Sequence, residues 1–150
     1  MIISFFGHSD FVPTEACEEV MWDLLNNTVG DNPAEFYLGG YGRFDDFALA
    51  CCKIYKSEHK GVKLIFVTPY ITLEYQKNRL ENIRAEYDMI LYPEIEDKPL
   101  RFAISYRNKW MIDKSDSVIV GISRTWGGAY KAYKYAISRK KPVYNLLSWS

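Results

Sequence analysis

The sequence has few of the residues and patterns that mark secreted, metal-binding or membrane proteins. Only three of its 150 residues are cysteines, and they form no CxxC pair. We therefore expect neither a disulfide framework nor a metal site, and the thiols fit a reducing compartment. No apolar run approaches the roughly 20 residues of a membrane span, and the apolar start of the chain is too short for a signal peptide. The sequence predicts a cytoplasmic protein without metal or cofactor.

The motifs of several common enzyme classes are also missing. The sequence contains no GxSxG elbow, no HExxH, no Walker A loop and no GxGxxG dinucleotide fingerprint. Any binding or catalytic residues must therefore be sought in less familiar loops.

Charge is balanced overall but uneven along the chain. The sequence holds 19 basic and 19 acidic side chains. Residues 1–100 carry a net charge of −8, whereas residues 101–150 carry +8. Because coating nucleic acid requires surplus positive charge, the zero net charge argues against nucleic acid as a partner. The basic last third is either a solvated face or the source of an anion site.

Short apolar runs alternate with amphipathic helical patterns over a length that fits one ordinary domain, residues 1–150. Strands are predicted over 2–6, 36–38, 63–67, 89–92, 117–122 and 142–147. Helices are predicted from residues 13–14 onward and over 44–55, 73–85, 100–114 and 128–140. This alternation predicts an α/β fold, a doubly wound, mostly parallel sheet with helices on both faces, of the Rossmann-like type.

Ligands of such sheets bind beyond the carboxyl ends of the strands, where three loops carry candidate residues. The first loop is Gly7-His8-Ser9-Asp10, after the first strand. Its glycine lets the backbone approach a ligand, and His8 or Ser9 could donate to a phosphate or a ribose. The alternative is a plain turn in which Ser9 or Asp10 caps the next helix.

The second loop contains Gly39, Gly40 and Gly42 between a predicted strand and a predicted helix. Glycines at this junction expose backbone N–H groups at a helix N-terminus, which favours anions. Asp45 follows in the first helical turn. It would bind a ribose hydroxyl or simply interact favourably with the helix dipole.

The third loop lies in the basic third of the chain and contains Thr125, Trp126, Gly127 and Gly128. It is another junction from strand to helix, flanked by positive charge, so a phosphate would meet both N–H groups and cations. The alternative is that the two glycines only allow close packing of helix on strand.

Arg107 is the most informative single residue. Its neighbours three and four positions away are all apolar: Ala103, Ile104, Trp110 and Met111. Arg107 should therefore project toward the core or a cleft, where a guanidinium needs an anionic partner. Either it pairs with a carboxylate such as Asp45 or Asp116, or it binds a ligand phosphate. Asn108 lies on an adjoining stripe.

These segments together resemble the SLOG superfamily, the Rossmann-like group that includes the lonely-guy phosphoribohydrolases and DNA-processing protein A. More closely, the chain looks like a bacterial and phage branch of small SLOG proteins. The resemblance covers nearly the whole chain. Its segments are FGH at 6–8, LGGYGRFD at 38–45, LYPE at 91–94, RFAISYRNKWM at 101–111, SDSVIV at 115–120 and WGGA at 126–129.

The resemblance implies a nucleotide or nucleotide-derived ligand at the carboxyl end of the sheet, and self-association into a homo-oligomer. In the phosphoribohydrolases, catalysis uses an Arg of an RxxxM-like helix and a Glu after a PGGxGTxxE loop. Arg107 and Met111 match the first motif. The second motif departs, because residues 126–133 read WGGAYKAY, with no Pro, no GT and no Glu.

We therefore expect a protein that binds a nucleotide or nucleotide-derived small molecule, as a sensor or a sequestering protein. The alternative is an enzyme that cleaves an N-glycosidic bond with Arg107, Asp45 and Glu94 as catalytic residues. DNA binding through the basic third is the least expected function. The predicted ligand-binding residues are Gly7, His8, Ser9, Gly39, Gly40, Gly42, Asp45, Arg107, Asn108, Thr125, Trp126, Gly127 and Gly128.

Overall fold

The structure, a computed structural model, describes residues 1–70 and 81–147. The strands are β1 (Ile2–Gly7), β2 (Ala34–Leu38), β3 (Val62–Val67), β4 (Met89–Leu91), β5 (Ser117–Gly121) and β6 (Val143–Asn145). The long helices are α1 (Glu15–Thr28), α2 (Arg43–Glu58), α3 (Ala103–Lys114) and α4 (Gly128–Ser138).

The strands form one six-stranded sheet in the order β4-β3-β2-β1-β5-β6. Every neighbouring pair is parallel, with Ile3 beside Phe36 of β2 on one side and beside Ser117 of β5 on the other. The chain winds outward from β1 in one direction and from β5 in the other. This confirms the predicted Rossmann-like fold, and it places a topological switch point between β1 and β5.

Helices cover both faces of the sheet, because alternate residues of each central strand enter different cores. Phe5 and Ile119 belong to the core beneath α1 and α2. Phe6 and Val120 belong to the opposite core, beneath α3 and α4. The strands are therefore apolar on both sides, which explains why they appear as continuous apolar runs.

The first helix begins where the sequence predicts, although neither Ser9 nor Asp10 caps it. Thr14 is the N-cap, and its Oγ1 accepts a hydrogen bond from the backbone N–H of Cys17 at 3.2 Å. The loop 7–10 is thus free of a capping role.

Several predicted segments differ from the structure in their bounds. The helix predicted over 100–114 begins as a 3₁₀ turn, Leu100–Phe102, before α3. Of the helix predicted over 73–85, residues 73–80 lie outside the described residues, and one helical turn, Glu81–Ile83, precedes a 3₁₀ turn. The last strand is shorter than 142–147. Within the described ranges, no helix is long and apolar enough to cross a membrane.

Candidate functional site

A cavity of about 330 Å³ lies at the carboxyl edge of the sheet, where the loops after β1, β2 and β5 meet. This is the switch point at which doubly wound sheets bind their ligands. Ten of the predicted binding residues line it: Gly7, His8, Ser9, Gly39, Asp45, Arg107, Asn108, Trp126, Gly127 and Gly128.

Four predicted residues are not among those that line the cavity. Gly40 and Gly42 instead shape their loop, with φ angles of 65° and 95°. A side chain on Gly40 would lie 2.3 Å from the Phe66 ring. Thr125 is exposed beside the cavity, and Glu94 is exposed in the loop after the edge strand β4.

The cavity also includes residues that the predicted set left out. Tyr41 lies inside the second loop, Arg124 precedes the third loop, and Ile104 contributes from α3. Tyr41 and Trp126 are each 64% exposed. A large aromatic side chain within a glycine-rich loop was the signal that could have identified Tyr41 as part of the site.

Arg107 is only 5% exposed, as its apolar neighbours predict. Its Nη1 donates to the carbonyl oxygens of Val67 at 2.8 Å and Gly39 at 3.3 Å, and its Nε donates to Oδ1 of Asn108 at 2.9 Å. The guanidinium therefore joins the carboxyl ends of β2 and β3, with backbone carbonyls among its acceptors. Asp116 is engaged elsewhere, because it accepts from the N–H of Ile2 at 2.7 Å, where β1 begins.

Asp45 is the acidic group of the cavity. Burial raises its pKa from 3.8 to about 7, although the backbone N–H of Tyr41 and the charge of Arg107 oppose that shift. The Tyr41 N–H donates to Oδ2 of Asp45 at 2.8 Å. The cavity thus holds a carboxyl group that changes charge near neutral pH.

His8 connects the loops after β1 and β5. Its Nε2 lies 3.2 Å from the backbone nitrogen of Ser123, which donates to it. Burial lowers the pKa of His8, and the charge of Arg124 lowers it further. Both effects favour the neutral imidazole, and its Nε2 accepts the Ser123 N–H, so Nε2 is not available to donate to a ligand.

The glycines of the third loop do not serve close packing of helix on strand. A Cβ built on Gly127 or Gly128 would meet no atom within 4 Å. Gly127 has φ 96° and ψ 172°, and Gly42 before α2 has nearly the same angles, φ 95° and ψ 174°. The Gly42 position is filled, because a Cβ there would lie 2.7 Å from Ser9. Of these two junctions, the one before α4 is open and the one before α2 is filled.

Arg124 and Trp126 form a stacked pair at the cavity. The guanidinium carbon of Arg124 lies 3.9 Å from the Trp126 ring centroid. One nitrogen of Arg124 donates to both carboxylate oxygens of Asp10 at 2.9 Å, while its buried Nε meets no acceptor in the described part of the chain. The pair combines a flat apolar surface with positive charge.

Fold and cavity together define a Rossmann-like α/β protein with a glycine-lined pocket at its switch point. Compared with solved structures, the chain is similar to DNA processing protein A from Helicobacter pylori, with a TM-score of 0.62 and 19% sequence identity. The likeness covers 97% of this chain and 64% of the other, so the chain spans less than two thirds of that protein's length. No family model and no curated protein sequence matches the chain.

This likeness contradicts two predictions made from the sequence. The Helicobacter pylori protein is described as binding single-stranded DNA, whereas we predicted a small nucleotide-derived ligand and considered nucleic acid an unlikely partner. The error has a physical cause. A net charge of zero here averages residues 1–100 at −8 with residues 101–150 at +8, and it says nothing about the local field over one surface.

Proposed function

We propose that this chain is a SLOG-type domain that binds single-stranded nucleic acid at the carboxyl edge of its sheet. The observation that carries the proposal is the juxtaposition of Trp126, 64% exposed, with the open N-terminus of α4 in one cavity. A nucleotide offers a base to stack and a phosphate to bind, and this cavity presents a surface for each. The single-stranded DNA binding described for the Helicobacter pylori protein supports the same function.

The phosphate would be bound by backbone N–H groups at the start of α4. No side chain in the described ranges caps this helix. Gly127 and Gly128 carry no side chain, and no atom lies within 4 Å of the position a Cβ would take, so a ligand can approach their backbone. The positive end of the helix dipole adds attraction for an anion. Arg107, in the wall of the cavity, contributes a full positive charge.

The base would stack on Trp126. Base stacking on an aromatic ring suits a single strand, because its bases are unpaired and every base has a π-face. Arg124 lies 3.9 Å from the Trp126 ring centroid, which orients the indole before any ligand arrives. Tyr41, equally exposed in the second loop, offers another ring.

The test measures the affinity of a fluorescein-labelled oligothymidylate of about 16 nucleotides by fluorescence anisotropy. Trp126→Ala should weaken binding about five- to 150-fold, as expected for the loss of one stacked base. Tyr144→Ala is the matched control, because Tyr144 is an exposed ring of β6 that does not line the cavity. Equal affinity of Trp126→Ala and the wild type would contradict the proposal.

A further inference from the structure

The outer surface of α3 and α4 pairs lysines with aromatic rings. The ammonium of Lys109 lies between two tyrosines, 5.5 Å from the ring centroid of Tyr106 and 5.6 Å from that of Tyr135. Lys134 lies 5.8 Å from the centroid of Tyr130. These contacts hold each lysine near a ring without neutralising its charge. We call this surface, which includes the exposed Lys131 of α4, the lysine–tyrosine face.

The positive charge of this face is not balanced by its own carboxylates. Within residues 1–70 and 81–147, no ion pair involves Lys109, Lys131 or Lys134. Asp113 is the acidic residue of α3, and it already binds Arg139 at 3.0 Å and the hydroxyl of Tyr135 at 2.9 Å. The exposed lysines are therefore available to an external anion.

The lysine–tyrosine face lies on the two helices that also line the cavity. Helices α3 and α4 pack against each other. Asn108, beside Lys109, lines the cavity from α3, and Ala129, near Lys131, lines it from α4. Both helices begin at the carboxyl edge of the sheet, so their outer surfaces lead away from the cavity mouth. A strand that left the cavity along these two helices would meet the lysines.

We propose that the lysine–tyrosine face is a second binding surface for the sugar–phosphate backbone of the same nucleic-acid strand. The inference rests on the proposed function, since it assigns a path to the part of the strand outside the cavity. The phosphates would contact Lys109, Lys131 and Lys134, and the adjacent tyrosine rings restrict the lysines before binding. A backbone spanning both surfaces requires a strand longer than the cavity can hold.

The experiment compares two labelled oligothymidylates, of about 4 and about 16 nucleotides, with the wild type and the double variant Lys109→Ala/Lys134→Ala over a series of salt concentrations. The double variant should lose affinity for the long strand only. Its slope of log affinity against log salt should be shallower by about 1.4, as expected for two lost phosphate contacts on a single strand. The control is Lys60→Ala/Lys63→Ala, which removes two exposed lysines at the start of β3, at the amino edge of the sheet.

The outcomes separate this inference from the proposed function. If the wild type binds neither strand, both fail. If it binds both lengths equally well, or if the double variant weakens both equally, the second surface is wrong although the cavity still binds. A further outcome is a changed sedimentation coefficient of the double variant without nucleic acid, with unchanged affinity. That result would assign the face to contact with a second copy and overturn the inference.

Discussion

Arg124 holds Trp126 and Asp10 at once: its guanidinium stacks on the indole 3.9 Å from the ring centroid and donates to both oxygens of the carboxylate at 2.9 Å. The guanidinium of Arg124, which orients the exposed Trp126 ring, is therefore already paired with the carboxylate of Asp10. The pKa of Asp10 is lowered, first by its hydrogen bond with Arg124. A phosphate at the cavity would compete with Asp10 for the same guanidinium.

We expect Asp10→Asn to tighten binding of single-stranded oligothymidylate. The substitution removes the competing charge, and the gain should be up to about fivefold, the upper end of the range for an exposed ion pair. Anisotropy titrations at low and high salt measure it, and the gain should shrink at high salt. Asp97→Asn, an exposed acid beyond β4, is the control. Weaker binding by Asp10→Asn would mean that Asp10 positions Arg124 rather than competes for it.

The binding of single-stranded oligothymidylate should depend on pH through Asp45. Its pKa of about 7 means that the carboxyl group is neutral below neutrality and negative above it. A negative charge in the cavity repels phosphate, so the wild type should bind more weakly as pH rises from 6 to 8. Asp45→Asn should bind with little change over that range. A wild-type affinity that is flat across the range would contradict this role.

The free energy of unfolding should also depend on the protonation of Asp45, and the direction of that dependence follows from its raised pKa. Between its unfolded pKa near 3.8 and its folded pKa near 7, Asp45 holds its proton only in the folded state. Stability therefore falls as pH rises through this range, and the loss is complete above pH 7. Asp45→Asn keeps an acceptor for the Tyr41 N–H and removes the charge. Its advantage in melting temperature over the wild type should be larger at pH 8 than at pH 4.

Arg107 should be needed for folding stability independently of any ligand. In Arg107→Met the carbonyl oxygens of Gly39 and Val67 lose their donor, and an unsatisfied buried acceptor costs about 1–3 kcal/mol. Urea denaturation should report a lower free energy of unfolding by at least that amount. Arg101→Met, at an exposed arginine on the turn before α3, should leave the free energy unchanged. An Arg107→Met variant with the wild-type free energy of unfolding would contradict the role of Arg107 in linking the ends of β2 and β3.

The sequence predicts the sheet well because its information is local. Buried parallel strands are continuous apolar runs, as β1 and β5 show, and glycine marks the junctions between strand and helix. The carboxyl-edge rule then brings the three loops together without any knowledge of distances. Ten of the predicted binding residues lie around one cavity for this reason.

The contacts across the site are not local, and no pattern in the sequence encodes them. Asp10 and Arg124 are 114 positions apart, and His8 and Ser123 are 115 apart. The acceptors of Arg107 include backbone carbonyls, which any residue supplies, so the search for a carboxylate partner missed them. The prediction that nucleic acid is an unlikely partner was wrong because the net charge is a sum over the whole chain, whereas a ligand meets the charge of one surface.

The two glycines before α4 should separate stability from binding. Gly128→Ala adds a methyl group that meets no atom of the protein, and alanine favours a helix over glycine by up to about 1 kcal/mol. The variant should melt no lower than the wild type, yet bind oligothymidylate more weakly, because the methyl group occupies the approach to the backbone N–H groups.

Gly127→Ala should lose about 1–3 kcal/mol of stability, since φ 96° and ψ 172° suit glycine alone. Gly30→Ala, with φ 59° at a turn outside the cavity lining, should lower stability and leave affinity unchanged. If Gly128→Ala binds as tightly as the wild type, the phosphate does not approach the start of α4.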